Sequence, residues 1–284
     1  MTLRQIRDWA EAELKAAGIE GYKREIRFII SEYTGLSSAD IILRPEEGLT
    51  AEAEKRIISA VEMRCSGEPL QYILGWWEFY GAKIEVCPGV LIPRPETELL
   101  AELAVKRAES IKNAKLLDLC CGSGCIAIST AKHVQAEIYA SDLYDIPIKM
   151  TKRNAELNGV SLNIIKADAL KSPPKELGTD FDIIVSNPPY IPADDIVSLQ
   201  QEVKHEPASA LNGGKDGLCF YRSICENYRD ILKIGGTLAF EVGINQAGSV
   251  CDIMKSNGFE DIFRISDYGG IDRVVCGTLM SLKS

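Results

Sequence analysis

The chain is poor in the residues that most enzymes use for proton transfer and metal binding. Only two histidines occur in 284 residues, His133 and His205. None of the nine cysteines forms a C-x-x-C pair, although Cys120, Cys121 and Cys125 stand close together. Zinc sites draw four nitrogen or sulfur ligands from clustered positions, so no metal is expected. No long basic run is present, and the net charge is −9. Proteins that grip nucleic acid by its phosphates usually carry a basic face, so a nucleic-acid substrate is disfavoured. No stretch reaches the ~18 unbroken apolar residues of a membrane helix. The opening MTLRQIRDWAEAELK is charged throughout and lacks the apolar centre of a signal peptide. A cytoplasmic protein with reduced thiols and no membrane partner is expected.

What is present divides into two regimes. The first is helical. Leu3, Ile6, Trp9 or Ala10, Glu13 or Leu14, and Ala17 recur at helical spacing, with Thr2 as a cap and Gly18 as a stop. Tyr22, Ile26, Ile29, Ile30 and Tyr33 repeat the pattern up to Gly35, and Ile57, Ile58 and Val61 repeat it between Thr50 and Gly67. WWEFYGAKIEVCPG then reads as a β-hairpin turning at Gly81. Pro93 and Pro95 enforce extended backbone before a helix that starts near Glu96. From Lys115 onward, strands alternate with helices. KLLDLC, AEIYASD, LNIIKAD, FDIIVSN, TLAFEVG, DIFRIS and RVVCGTLM read as strands. GLCFYRSICENYRDILKIGG and NQAGSVCDIMKSNG read as helices ended by glycine. Such alternation predicts an α/β fold with a largely parallel, doubly wound sheet. The expected divisions are 1–70 for a helical bundle, 71–95 for hairpin and linker, and 96–284 for the α/β domain. The longest loop, Ile191 to Asp216, has the length of a functional loop.

Three strand ends carry candidate chemistry. LLDLCCGSGCIAI sets a glycine-rich turn between a strand and a helix, where doubly wound folds bind ligands. Its spacing is not G-x-G-x-x-G, so the dinucleotide fingerprint fails. Asp118 before the turn would repel a pyrophosphate but accept from an ammonium, such as that of S-adenosylmethionine. Asp142 ends the next strand, where a carboxylate either binds ribose hydroxyls or caps the following helix. Asp168 and Ala169 end the third, bordering an adenine or forming a turn.

The fourth strand ends in SNPPY. Asn187 precedes a proline and is held extended, which aims its side chain. Pro188 and Pro189 offer no N–H, so the strand cannot continue and the Pro188 carbonyl is left to accept. Two neutral acceptors match the two donors of an NH₂ group. Tyr190 adds an aromatic surface for a flat group. The lone pair of a planar nitrogen is delocalised. Acceptors that draw on its hydrogens favour a pyramidal nitrogen and stabilise the positive charge that develops on alkylation.

LDLCCGSG, Asp142 and NPPY in this order resemble the class I, S-adenosylmethionine-dependent amino-methyltransferases. PLQYILGWWEFYG, VLIPRPETELL, SNPPYIP, HEPASAL and DYGGIDRVVCG further resemble the release-factor glutamine methyltransferases. The resemblance implies a Rossmann-like, seven-stranded methyltransferase sheet with a small N-terminal helical domain that docks the release factor. It implies methylation of the glutamine in the release factor's Gly-Gly-Gln motif, with S-adenosylhomocysteine as product. By the same resemblance Asn187 and the Pro188 carbonyl hold the glutamine NH₂, and Pro189 and Tyr190 shape the slot. The turn Cys120, Cys121, Gly122, Ser123 and Gly124, with Asp142, Asp168 and Ala169, holds the cofactor. Cys120 stands where the family has its first glycine, and His205 where it often has an aromatic, so a catalytic His205 is not expected. Arg94 either covers the pocket or is a solvated linker charge or part of a salt bridge. Two rivals stay open: methylation of an exocyclic amine in DNA or rRNA, and a nucleoside-binding module without turnover.

Overall fold

A computed structural model describes residues 1–200 and 202–280. The chain forms two compact units, Met1–Gly75 with Gln200–His205, and Trp76–Leu199 with Glu206–Ser284.

The first unit holds α1 (Leu3–Ala16), α2 (Tyr22–Thr34), α3 (Ser38–Leu43), α4 (Ala51–Cys65) and α5 (Leu70–Leu74). Thr2 caps α1 by accepting from the Gln5 N–H, and the Gln5 side chain answers at the Thr2 N–H. Thr50 caps α4. Each such cap stabilises a helix by roughly 1 kcal/mol. Leu3, Ile6, Ala10 and Leu14 of α1 are buried with Ile26, Ile29 and Ile30 of α2 and Ile57 and Val61 of α4. Arg64 on α4 is almost wholly buried and pairs with Glu25 and Glu202. Glu202 belongs to this unit with the rest of Gln200–His205, whereas the sequence places it in the α/β domain. The short helices α3 and α5 were not anticipated.

The second unit opens with β1 (Trp76–Phe79) and β2 (Ala82–Glu85), an antiparallel hairpin. Tyr80 and Gly81 both adopt positive φ at its turn, as a two-residue hairpin turn with native twist requires. Next come α6 (Thr97–Glu109), β3 (Lys115–Leu119), α7 (Cys125–His133), β4 (Glu137–Asp142), α8 (Asp145–Asn158) and β5 (Asn163–Lys166). β6 (Phe181–Ser186), α9 (Cys219–Asn227), β7 (Leu232–Glu241), α10 (Ala247–Ser256), β8 (Phe259–Ser266) and β9 (Asp272–Leu279) complete it. The seven-stranded sheet runs β5-β4-β3-β6-β7-β9-β8. The first five strands are parallel, and β9 is antiparallel to both β7 and β8. Strand order reverses between β3 and β6, so their carboxyl ends flank the crevice where such sheets bind ligands.

One helix is shorter than its sequence suggests. The segment through Gly236 reads as helical, yet α9 ends at Asn227 and β7 begins at Leu232, which pairs with Phe181. Ile231, Leu232 and Ile234 satisfy either period in isolation, and sheet pairing decides between them. The long loop contains three short 3₁₀ turns, Ala193–Ser198, Val203–His205 and Ala208–Ala210. No helix among the described residues is long and apolar enough to cross a membrane.

Candidate active site

β3 ends beneath a turn with an unusual backbone. Cys120 has φ +63°, a conformation that costs a side-chain-bearing residue about 1–2 kcal/mol. The turn nevertheless keeps its form. The Cys121 N–H donates to the Ser141 carbonyl at 2.9 Å, and the Gly124 N–H to the Cys121 carbonyl at 2.7 Å. Gly124 must lack a side chain, because a Cβ there would lie 2.7 Å from Thr151 Cγ2. Thr151 of α8 donates to the Gly122 carbonyl at 3.1 Å, and Asn154 to the Ser123 carbonyl at 3.0 Å. The turn is thus pinned to α8. Burial pushes the Cys120 and Cys121 thiols well up, so both stay protonated and un-nucleophilic.

Asp142 at the end of β4 accepts from the Gly122 N–H and the Tyr144 N–H, both at 3.1 Å. It lines the cleft, and its burial raises its pKa against the pull of those N–H groups. Asp168 also lines the cleft, but its Oδ1 accepts from the Leu170 N–H at 3.0 Å in a local turn, and Lys171 sits at 3.3 Å from Oδ2. Tyr228 and Ser223 donate to the Asp168 and Ala169 carbonyls and fix that loop.

Asp118 is elsewhere. It is fully buried under the turn, absent from the cleft wall, and its Oδ2 accepts from the Ala127 N–H of α7 at 3.1 Å. Its Oδ1 has no partner, and burial pushes the acid up to about 7. A strand-end carboxylate that looks like a ligand contact in the sequence is here a brace for the first turn of α7.

The end of β6 is held from several directions. Ser186 donates to the Leu119 carbonyl at 2.6 Å and ties β6 to β3 at the crevice. Asn187 lines the cleft, and its Nδ2 donates to Thr97 Oγ1 at 3.2 Å. Its Oδ1 is therefore the end left to receive a donor. Pro189 lines the cleft and Pro188 is buried. Among the described residues no main-chain N–H donates to the Pro188 carbonyl. Tyr190 is not on the cleft wall; its hydroxyl faces Glu241 at 3.5 Å, and burial raises its pKa. The backbone beyond it is clamped, with the Ile191 N–H donating to the Leu211 carbonyl and the Gly213 N–H to the Ile191 carbonyl. A Cβ on Gly213 would lie 2.7 Å from Tyr190 Cα, and one on Gly217 would lie 2.3 Å from the Tyr190 oxygen.

The cleft these ends enclose measures about 1020 Å³ including its mouth, and its wall is mainly apolar. Sequence reasoning missed part of that wall. Gly89 to Leu91, Thr97, Pro207, Ser209 and Ala210 belong to it. Arg94, also lining, forms an ion pair with the buried Glu206, whose other oxygen accepts from the Ile92 N–H at 3.0 Å. Arg94 thus lines the cleft wall while ion-paired. The HEPASAL stretch was the available signal for Glu206, and the FEVG strand end for Glu241. His205 lies in the first unit at 3.3 Å from Glu68 and does not line the cleft. Among the described residues no group of three or more His, Cys, Asp or Glu is arranged to hold a metal.

Residues 5–75 match the family model described as the PrmC N-terminal domain, and residues 95–233 that of the methyltransferase small domain. The chain is 39% identical over 281 residues to the release factor glutamine methyltransferase of Geobacter sulfurreducens, covering 98% of this chain and 97% of that protein. It is 41% identical over 256 residues to the protein of that name from Thermodesulfovibrio yellowstonii, covering 89% and 91%. Among solved structures, the hMettl16 catalytic domain in complex with the MAT2A 3'UTR hairpin 1 aligns with a TM-score of 0.58 at 12% identity, over 92% of this chain and 94% of that one. A methyltransferase from Pyrococcus furiosus aligns with a TM-score of 0.53 at 17% identity, over 82% and 100%. Those two likenesses establish the fold.

Proposed function

We propose that this chain, which belongs to the release factor glutamine methyltransferase family, methylates the side-chain amide nitrogen of a glutamine in peptide chain release factors. The observation that carries the reading is the strand end Asn187–Pro188, placed beside the β3 turn with the Asn187 oxygen left as an acceptor in the cleft.

S-adenosylmethionine, the methyl donor of the family, fits the donor set. Asp142 supplies a carboxylate at the strand end next to the turn, suited to ribose hydroxyls. Gly122 and Ser123 bring backbone close to the cleft, and Ala169 and Leu143 supply apolar surface for a base. When bound, the cofactor supplies an electrophilic methyl group on a sulfonium. This chain's residues do the rest. Asn187 Oδ1 and the Pro188 carbonyl accept the two hydrogens of the glutamine NH₂ and turn its lone pair toward the cofactor side of the cleft. They oppose the planar resonance of the amide, and they stabilise positive charge as it grows on nitrogen. Pro189 narrows the slot, and Tyr190 braces it from behind. Alignment alone supplies up to ~7–11 kcal/mol of barrier reduction. The proton lost from nitrogen needs no strong base, since an N-alkylated, N-protonated amide is very acidic.

The helical unit docks the body of the release factor, in line with the family whose N-terminal domain it matches. The net charge of −9 and the nine free thiols support a protein substrate and a reducing, cytoplasmic setting over a nucleic-acid substrate. Incubation with methyl-labelled S-adenosylmethionine tests the reading. Label is expected on a release factor and not on its Gln→Ala variant, DNA or rRNA. Label on nucleic acid alone would replace this reading with the exocyclic-amine one, and no label at all with the binding-module one.

A further inference from the structure

Gln246 stands at the N-cap of α10, a place better served by serine, threonine, aspartate or asparagine, and its side chain makes no capping bond. The carboxamide holds the end of β6 instead. Its Nε2 donates to the Tyr190 carbonyl at 2.8 Å, with the Gly217 carbonyl at 3.5 Å. Its Oε1 accepts from the Gly243 N–H at 3.0 Å. An N–H only donates and a carbonyl only accepts, so both partners set this carboxamide the same way round.

The surrounding backbone leaves room for the side chain. A Cβ on Gly217 would lie 2.5 Å from Nε2, and one on Gly243 would lie 2.7 Å from Oε1. Asn245 takes φ +66°, a conformation asparagine tolerates, and the Gln246 N–H donates to the Gly243 carbonyl at 3.1 Å. That closed turn delivers Gln246 from the end of β7 to the end of β6.

The bond matters because of where Tyr190 lies. Ser186 ties the near end of SNPPY to β3. Pro188 and Pro189 fix two φ angles and hold the residues before them extended, but the backbone is free to turn again after Pro189. There the peptide group joining Tyr190 to Ile191 is held at both polar ends. Gln246 takes its carbonyl, and the Leu211 carbonyl takes its N–H at 2.9 Å. The two prolines are strung between these fixed points, and the direction of the Pro188 carbonyl is set with them. Neither Gln246 nor Tyr190 is on the cleft wall, so Gln246 reaches the chemistry only through the segment it holds.

We propose that Gln246 is a positioning residue which, by holding the Tyr190 carbonyl, sets the angle at which Asn187 and the Pro188 carbonyl meet the substrate amide. This rests on the acceptor reading of Asn187 given above.

The test uses the full chain, a release factor substrate and S-adenosylmethionine at saturation, with Gln246→Glu, Gln246→Met and Asn187→Ala measured in parallel. Glutamate keeps the size and the acceptor for the Gly243 N–H but, ionised at pH 8, has no hydrogen for Tyr190. Methionine keeps the length and has neither. A misplacement of about 1 Å costs on the order of 10²-fold in rate, so both variants are expected to lower kcat at least tenfold. KM for the release factor and affinity for S-adenosylhomocysteine should stay within threefold, a split that a general loss of fold would not give. Wild-type kcat in either variant would overturn the proposal. So would a fall in kcat matched by an equal loss of S-adenosylhomocysteine affinity. Gln246→Met decides the matter if Gln246→Glu does not fold. Turnover by Asn187→Ala would instead refute the acceptor reading itself. An inactive Asn187→Ala beside fully active Gln246 variants would refute the positioning role alone.

Discussion

Asp118→Asn should make the ligand-free protein more stable at pH 8, with a gain that shrinks as pH falls. Asp118 is fully buried, one oxygen is without a partner, and burial raises its pKa from 3.8 to about 7. The native protein therefore keeps a proton that the unfolded chain releases. Between about pH 4 and 7 the native state binds more protons, so stability falls as pH rises through that window and is level above it. A rise of that size costs about 4 kcal/mol once the native group is ionised. At pH 5 only about 1.5 kcal/mol of that is felt. The variant retains an oxygen for the Ala127 N–H and carries no charge. Whatever the amide itself costs, the difference between variant and wild type should grow by about 2–3 kcal/mol from pH 5 to pH 8. Urea unfolding at a series of pH values measures this directly, with the m-value checking that both proteins unfold alike. Glu241, also raised to about 7, adds a fall of the same sign in both proteins and cancels in the difference. A gap that stays flat from pH 5 to 8 would refute the reasoning.

Asn187→Ala should lower kcat by about 10²-fold or more, as loss of one charge-stabilising contact commonly does, with S-adenosylhomocysteine affinity by calorimetry little changed. Gly217→Ala should displace the Tyr190 carbonyl, because its Cβ would meet that oxygen at 2.3 Å in a backbone with φ +72°. A fall in stability of about 1–2 kcal/mol or more is expected from the backbone strain alone, read as a lower Tm together with reduced turnover. Glu206→Gln keeps an acceptor for the Ile92 N–H and discharges the pair with Arg94. It should lower stability by about 1–3 kcal/mol and loosen the cleft wall, seen as weaker cofactor binding by calorimetry.

The parts of the site that depend on one local segment were legible in the sequence. The turn after β3 and the double proline after β6 announce themselves because glycine and proline restrict the backbone wherever they stand. Their adjacency followed from the strand order of a doubly wound sheet. Helix ends at Thr2, Thr50 and Gly35 were legible for the same reason, since caps are local. What was missed depends on partners far apart in the chain. Thr97 meets Asn187, and Tyr190 meets Glu241, only after α6, β6 and β7 have packed, and Glu206 gains meaning only beside Arg94 and Ile92. Asp118 and Tyr190 do not line the cleft, and a strand end does not reveal whether its side chain faces the crevice or the layer beneath. The start of β7 was hidden because short apolar runs fit two periods, and only Phe181 decides for the strand.

The central claim is that two uncharged oxygens receive the hydrogens of a glutamine carboxamide. A crystal structure with S-adenosylhomocysteine and a release factor carrying its intact glutamine tests it most directly. Asn187 Oδ1 and the Pro188 oxygen are expected at about 2.9 Å from the glutamine nitrogen, with that nitrogen facing the sulfur. A glutamine whose carbonyl oxygen occupies that place, or an Asn187 turned with its NH₂ toward the substrate, would contradict the account.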